Sequence, residues 1–388
     1  MCTKNKIGIF SFFSGAGFLD LGFELSGFYD ILFVNEFHKA FMDTYQYSRK
    51  KMEIPEPKFG YHLGDITEFL KKESTSILKT DIAQAKQQYK LVGFIGGPPC
   101  PDFSVGGKNK GRNGENGKLS DTYIKLIVRI KPDFFLFENV KGLYRTTKHR
   151  EFFDELKKKL RHAGYYLTEK LINSLEYGAP QNRERIILIG FHKNILLQYK
   201  CNIKNDKNLP EFNWNTHIHF HIKDIQKAPW PEQDEFIENS KKENSLDTFK
   251  ELTVEHWFRK NNVANHPNAK NYFQPKAGLI KFKSIPEGDD SKKSYKRLHR
   301  WRYSPTAAYG NNEVHLHPYK ARRLSVAEAL AIQSLPSNYE IPENISLSDM
   351  FKTVGNGVPF LAAKGLALTI NNYIATIENN KQHETDCE

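Results

Sequence analysis

Ile7-Gly8-Ile9-Phe10-Ser11-Phe12-Phe13-Ser14-Gly15-Ala16-Gly17-Phe18-Leu19-Asp20-Leu21-Gly22-Phe23-Glu24 runs apolar, meets two closely spaced glycines, and resumes with apolar residues at helical spacing. That order predicts a buried strand, a tight turn and a helix. Glycines at the turn let the backbone bend sharply and bring the start of the helix close to a ligand.

Outward from this stretch the pattern repeats. Strand-like runs at 7–13, 30–35, 61–64, 91–96 and 133–138 alternate with helix-like segments at 19–26, 39–49, 66–90 and 120–130. A further helix at 151–163 and strands near 166–171 and 185–191 continue it. Short apolar strands separated by helices predict an α/β fold with a mostly parallel sheet covered on both faces. Past residue 201 the chain turns rich in Asn, Lys and His and loses its alternation until about 310. Helices are predicted again at 322–334, with Leu324, Ala327, Leu330 and Ala331 on one face, and from about 359 to 377. The expected division is a first domain over 1–200, a smaller irregular one over 201–320, and a segment 321–388 that returns to the first.

The 388 residues carry a formal charge of +12, which suits a polyanionic partner but also follows from plain Lys-rich composition. No apolar run approaches the roughly 18–20 residues that span a bilayer, so no membrane association is expected. The opening residues lack the apolar stretch of a signal peptide, and a cytoplasmic location is expected. Cys2, Cys100, Cys201 and Cys387 are scattered without a C-x-x-C pair, which argues against structural zinc or a disulfide framework.

Three predicted strand ends converge on one ligand. Gly15 and Gly17 follow the first strand. Glu36 closes the second, about 20 residues on, where a carboxylate can accept both ribose hydroxyls. Asp65 closes the third, placed to accept from an adenine amino group. Nicotinamide, flavin and adenosylmethionine proteins all use such a turn, so its residues alone leave the ligand open.

The next strand runs into Gly96-Gly97-Pro98-Pro99-Cys100-Pro101-Asp102-Phe103-Ser104. Prolines on both sides fix the backbone around the thiol, making Cys100 a candidate nucleophile whose proton must be removed before or during attack. Glu138 follows Phe134-Phe135-Leu136-Phe137, where scarce water should raise its pKa and let it donate to a ring nitrogen. In Gln181-Asn182-Arg183-Glu184-Arg185 the two arginines alternate onto one face, free to bind a base oxygen, a phosphate or Glu138.

Taken together, in order and with matching gaps over nearly the whole chain, these segments resemble the cytosine-C5 DNA methyltransferase family of bacterial restriction–modification type. Residues 12–18 resemble its cofactor loop, 97–104 its nucleophile segment, Glu138-Asn139-Val140 its acid segment, and Gln181-x-Arg183-x-Arg185 its base-binding strand. Residues 322–339 and Gly355-Asn356-Gly357-Val358 resemble its two C-terminal segments. The resemblance implies a Rossmann-like S-adenosylmethionine-dependent methyltransferase domain plus a target-recognition domain. It implies Phe13 and Phe37 against the adenine, Glu36 on the ribose, and Asp65 and Ile66 bordering the base. Gly15, Ala16, Gly17, Gly97, Pro99, Leu119, Asn356 and Val358 would complete that pocket. Cys100 would add to C6 of a flipped cytosine, Glu138 engage N3 and Arg185 reach O2, with Arg183 beside it.

By the same resemblance the cofactor is S-adenosylmethionine, the product S-adenosylhomocysteine, and no metal is needed. The expected partner is double-stranded DNA and a monomer is expected; a cognate restriction endonuclease can be encoded alongside without necessarily touching the protein, and the sequence does not reveal whether one exists. Gly106 to Lys118, rich in Gly, Asn and Lys, is the expected closing loop. The basic run Lys281, Lys283, Lys292, Lys293, Lys296, Arg297, Arg300 and Arg302, interleaved with Tyr295, Trp301 and Tyr303, is expected to supply contacts to phosphates and a few bases. His217, His219 and His221 alternate as on one strand face, but no carboxylate or thiol is obviously paired with them to make a metal site. Two positions depart from the family: Pro101 where Gln is frequent, and Phe18 where a further Gly is common. Rivals are cytosine methylation in RNA, a Rossmann oxidoreductase, which leaves Cys100, Glu138 and the arginines without purpose, and a catalytically dead DNA-binding relative, against which intact Cys100 and Glu138 speak.

Overall fold

The computed structural model describes residues 5–99, 115–243, 246, 248–275, 279–292, 294–307, 309 and 315–385. Cys100 with the segment through residue 114, which holds most of the expected closing loop, and Lys293 lie outside the described residues.

Seven of the described strands form the main sheet: β1 (Ile7–Phe12), β2 (Tyr29–Glu36), β3 (Tyr61–Leu63), β4 (Leu91–Gly96), β5 (Phe134–Val140), β6 (Tyr165–Asn173) and β7 (Glu184–His192). Their order is β3-β2-β1-β4-β5-β7-β6. The first five are parallel, while β7 runs antiparallel to both β5 and β6. All residues of β1 and β4 are buried, as expected for strands covered on both faces.

Helices α1 (Phe18–Glu24), α2 (Lys39–Lys51), α3 (Lys72–Gln88), α4 (Glu115–Ile130) and α5 (Thr147–His162) connect the strands. On one face α1 and α2 pack with the long C-terminal helix, and on the other α3, α4 and α5 cover a Phe-rich layer built from Phe10, Phe12, Phe94, Phe135 and Phe137. The predicted helix 66–90 is broken: Lys71 is extended at ψ 147, separating a short 3-10 turn, Ile66–Leu70, from α3. The Thr75 hydroxyl donates to the Phe69 carbonyl across this break.

Beyond the sheet come α6 (Lys193–Gln198), α7 (Ile222–Lys227), α8 (Val254–Lys260), α9 (Leu279–Ser284) and the two-residue strands β8 (Lys296–Arg297) and β9 (His315–Leu316). Helices α10 (Val326–Ile332), α11 (Leu347–Asn356) and α12 (Phe360–Thr385) follow. Helix α10 is shorter than the predicted 322–334 because Ser325 and Glu328 form a capping box at its start. Among the described residues no helix is long and apolar enough to cross a membrane. Packing crosses the expected domain limits: Leu209, Phe212 and Trp214 join the core under α12, and Trp257, Phe258 and Leu298 join Leu324, Ala327 and Ile332.

The C-terminal segment closes over α1. Phe18 is 2% exposed, edge-on to Tyr339, and fills the space left by the missing side chain of Gly357, where a β-carbon would lie 2.0 Å from its ring. The departure at Phe18 is therefore matched by a glycine in the segment packed against it. Gly357→Ala should lower stability by about 1–3 kcal/mol through overpacking. In thermal melts, Phe18→Ala combined with Gly357→Ala should cost less than the two single losses added together; strict additivity would rule out this contact.

Candidate functional site

Strand register, rather than any single motif, assembles the site. Phe12 lies opposite Asn35 of β2 and Gly96 of β4; Glu36 lies opposite Leu63, and Gly96 opposite Phe137. The segments that follow these residues share the C-terminal edge of the sheet, at the switch point where strand order reverses between β1 and β4.

At that edge Phe13 adopts φ 52, a left-handed conformation unfavourable for an aromatic residue and a mark of local strain. Gly15 and Gly17 also take positive φ, and nothing stands within 4 Å of a β-carbon built at Gly15. Glu36 is 8% exposed. Its Oε2 accepts from Gly15 N at 2.8 Å, and its Oε1 from Phe37 N at 2.9 Å and His38 N at 2.7 Å. Burial pushes its pKa up, against the pull of those N–H groups. Beside it Phe37 is 72% exposed and Leu63 50% exposed.

Asp65 caps the 3-10 turn, accepting from Thr67 N at 2.7 Å through one oxygen, and Ile66 is buried beneath it. Ala16 is buried, and Leu119 packs at the margin of the Phe-rich layer. Val358 is buried while Asn356, the last residue of α11, is exposed.

The second half of the site grows from β5 and β7. Glu138 Oε1 pairs with Arg185 Nε at 2.9 Å, and both side chains are nearly buried. Desolvation raises the Glu138 pKa, with Arg185 and then Arg183 opposing the shift. Gly97 permits this arrangement, because a β-carbon there would sit 2.7 Å from Glu138 Oε2. The Asn139 amide donates to the Pro98 carbonyl at 3.4 Å, tying β5 to the segment that leads through exposed Pro99 into Cys100.

Arg183 has a different setting. It is 1% exposed and donates to the Ala307 carbonyl and the Gly355 carbonyl, both at 2.9 Å, and to Gln181 Oε1 at 3.4 Å. Gln181 also accepts from Ala307 N at 3.0 Å and donates to Gln333 Oε1 at 3.2 Å, while Gln333 donates to the Val354 carbonyl at 2.5 Å. Sequence reasoning missed Asn139, Gln181 and Gln333 as working residues. Only Gln333 carried a signal, a polar residue following an apolar run; Asn139 and Gln181 stand among other polar residues, and their buried partners are not named by sequence.

The basic run divides. Arg297 and Arg300 are interior, not surface contacts as expected. The Arg297 guanidinium donates to the Ile285 carbonyl at 2.8 Å and to the carbonyls of His317 and Phe282, with its carbon 3.8 Å from the Phe236 ring centroid. Arg300 makes a bidentate pair with Glu287 at 2.8 Å on each side, and Trp301 is buried beside it. Such cations are placed by the demand to fill buried acceptors, which charge patterning along a sequence does not register. Lys281, Lys283, Lys292, Lys296, Arg302, Tyr295 and Tyr303 keep surface exposure, with Lys281 Nζ 4.6 Å from the Tyr295 ring centroid. The three histidines do not alternate on a strand: residues 217–221 form turns before α7, which His221 caps. Among the described residues no metal-holding group of three or more His, Cys, Asp or Glu occurs.

A doubly wound sheet whose switch-point edge carries a glycine turn and a buried carboxylate is the frame of a nucleotide-binding α/β enzyme. The family described as C-5 cytosine-specific DNA methylase matches residues 7–372. The chain belongs to that family and is a cytosine-C5 DNA methyltransferase of the restriction–modification type. It is 59% identical over 371 residues to the Type II methyltransferase M.NmeDI of Neisseria meningitidis serogroup C, covering 96% of this chain and 85% of that one. It is 29% identical to M.FnuDI of Fusobacterium nucleatum, covering 96% and 97%. Among solved structures, S. pombe Dnmt2 methyltransferase superposes with a TM-score of 0.58 at 13% identity, covering 95% of this chain and 99% of that one. A mutant of Spodoptera frugiperda DNMT2 gives 0.57 at 17% identity, covering 94% and 100%. At these identities the likeness is one of fold.

Arg297→Met should destabilise the protein by a few kcal/mol, because each buried carbonyl left without a donor costs about 1–3 kcal/mol. It should leave the salt dependence of DNA binding unchanged, whereas Lys281→Ala and Lys292→Ala should each shallow that dependence without lowering the melting temperature. A shallower salt slope for a fully folded Arg297→Met protein would return this residue to the DNA surface.

Proposed function

We propose that this enzyme transfers a methyl group from S-adenosylmethionine to C5 of a cytosine flipped out of a specific double-stranded DNA site. The Glu138–Arg185 pair, set against Gly97 at the segment that leads into Cys100, carries the proposal. Exposed Phe37 and Leu63 flanking Glu36 fit an adenosine, with apolar faces for the base and a carboxylate for the ribose. Phe13, Gly15, Ala16, Gly17, Asp65, Ile66, Gly97, Pro99, Leu119, Asn356 and Val358 border the same site. When bound, the cofactor supplies an electrophilic sulfonium methyl.

C5 of cytosine is a poor nucleophile. Addition of the Cys100 thiolate at C6 makes C5 enamine-like, and a protonated Glu138 donating to N3 stabilises the charge that develops in the ring. Arg185 orients Glu138 and reaches the O2 side. After methyl transfer the C5 proton leaves and the thiol is released. Both ring faces are needed, so the base must leave the duplex, at a cost of a few kcal/mol. Arg183 supports this arrangement from within, by joining β7 to the recognition region and to α11. Residues 201–320 are the proposed target-recognition domain, set between the 1–200 and 321–388 catalytic segments, with Lys281, Lys283, Lys292, Lys296 and Arg302 facing phosphates. The biological role that fits is protection of host DNA against a cognate endonuclease.

Cys100→Ser should abolish methyl transfer while DNA binding survives; a variant that still turns over would refute the nucleophile assignment. Glu138→Gln should lower kcat by roughly 10²–10⁴ with little change in cofactor affinity. Because burial holds the Glu138 pKa above its ordinary value, its acid role is available below that raised pKa and fades as pH climbs past it. Glu138→Gln should therefore flatten the alkaline limb of the kcat/KM profile. Bisulfite sequencing of host DNA after expression tests substrate and product together. Methylated cytosines within one short motif are expected; unmodified DNA alongside methylated RNA would overturn the DNA reading.

A further inference from the structure

The glycine turn after β1 is held from several sides, and one of its anchors lies in no segment of the family resemblance. Gly15 N is bound by Glu36, Ala16 O accepts from the Tyr339 hydroxyl at 2.8 Å, and Gly17 O accepts from Arg49 Nη2 at 2.7 Å. Arg49 lies on α2 and its side chain is only 2% exposed. Its Nε pairs with Glu24 at 2.9 Å, and its guanidinium carbon stands 4.2 Å from the Tyr45 ring centroid. The Tyr45 hydroxyl donates to Asp20 at 3.0 Å, and Ser11 donates to the other oxygen of Asp20 at 2.9 Å. Asp20 is fully buried, and burial pushes its pKa up to about 6 and that of Glu24 up to about 7, with Arg49 the main opposing charge for both.

A buried cluster of two carboxyls and one guanidinium is a poor source of stability, since desolvation offsets most of the attraction. This one ends on a carbonyl of the glycine turn. Gly17 sits at φ 77, and a β-carbon there would lie 2.4 Å from the Tyr45 ring and 2.7 Å from Arg49 Nη2. The left-handed turn and the guanidinium therefore fit only each other.

We propose that Arg49 is a positioning residue for the cofactor: held by Glu24 and packed on Tyr45, it fixes the Gly17 carbonyl and with it the turn that S-adenosylmethionine binds. The proposal rests on the cofactor assignment above. Arg49 touches neither the reacting atoms nor the cofactor, and acts through the backbone of the loop.

The test compares Arg49→Met, Arg49→Lys and the double variant Glu24→Gln/Arg49→Met with the wild-type enzyme. It measures KM for S-adenosylmethionine, kcat, KM for DNA and the melting temperature, with calorimetric binding of S-adenosylhomocysteine. Losing a charged donor to the turn should raise the cofactor KM about tenfold or more. At saturating cofactor, kcat and the KM for DNA should not change. Arg49→Lys, which can still reach one acceptor, should fall between. The double variant removes Glu24, one of the two carboxyls left without the guanidinium, so its melting temperature should recover in part while its cofactor KM stays high. Recovery of both would make Arg49 a charge partner only and overturn the proposal. If Arg49→Met does not fold, the lysine and double variants decide the question. Wild-type enzyme that fails to bind S-adenosylhomocysteine would defeat the cofactor assignment itself, whereas wild type and variants binding equally would defeat this inference alone.

Discussion

The guanidinium of Arg183 is shut away from water at the start of β7, and desolvation drives its pKa well below the ordinary arginine value. A cation in that position must find acceptors or the fold fails. Its acceptors are the carbonyls of Ala307 and Gly355, more than a hundred residues further along the chain. The end of the irregular region and the end of α11 are thereby docked on the strand that carries Arg185. Gln181 and Gln333 extend the same network to Ala307 N and the Val354 carbonyl. The Arg183 Nε finds no partner among the described residues, so the two Nη donors and the two glutamines carry the network. The three sequence segments around the site consequently assemble as a unit.

One residue pair along, the same low-dielectric setting holds the Glu138–Arg185 pair. Glu138 lies near enough to Arg185 to be oriented and buried deeply enough for its pKa to rise. Burial favours the protonated carboxyl, the form that can donate, while Arg185 and Arg183 pull the other way. The bare backbone at Gly97 lets the segment leading to the thiol pass within van der Waals reach of that carboxyl, and Asn139 holds it there through the Pro98 carbonyl. The nearness of Glu138 to the Gly97–Pro99 segment thus comes from the β4–β5 register, with Gly96 opposite Phe137.

Positive charge is used in two ways in the irregular region. Arg297 and Arg300 serve as internal struts in a segment whose described elements are short helices and two-residue strands, Arg297 satisfying carbonyls that regular structure would otherwise have paired and Arg300 the Glu287 carboxylate. The lysines near them stay at the surface, where a phosphate backbone can reach. Loops without regular backbone pairing need rigid support, and planar guanidinium groups with several donors suit that task better than lysine.

Much of this was legible in the residues alone. The alternation of apolar runs with helical spacing dictated the parallel α/β core, since strands buried on both faces must read as continuous apolar stretches. The motifs at Gly15, Glu36, Glu138 and Arg185 each lie at or near a strand end, where local order suffices to place them. Other features depended on partners distant in sequence. These include the antiparallel run of β7, the break at Lys71, the fit of Phe18 to Gly357, and the burial of Arg49, Arg183, Arg297 and Arg300. A side chain's type states what it can bond to, but whether it meets water, a carbonyl or a carboxyl is set by which segments pack against it. Local chemistry was therefore written in the sequence, while the partners of its buried charges were decided only when the chain closed on itself.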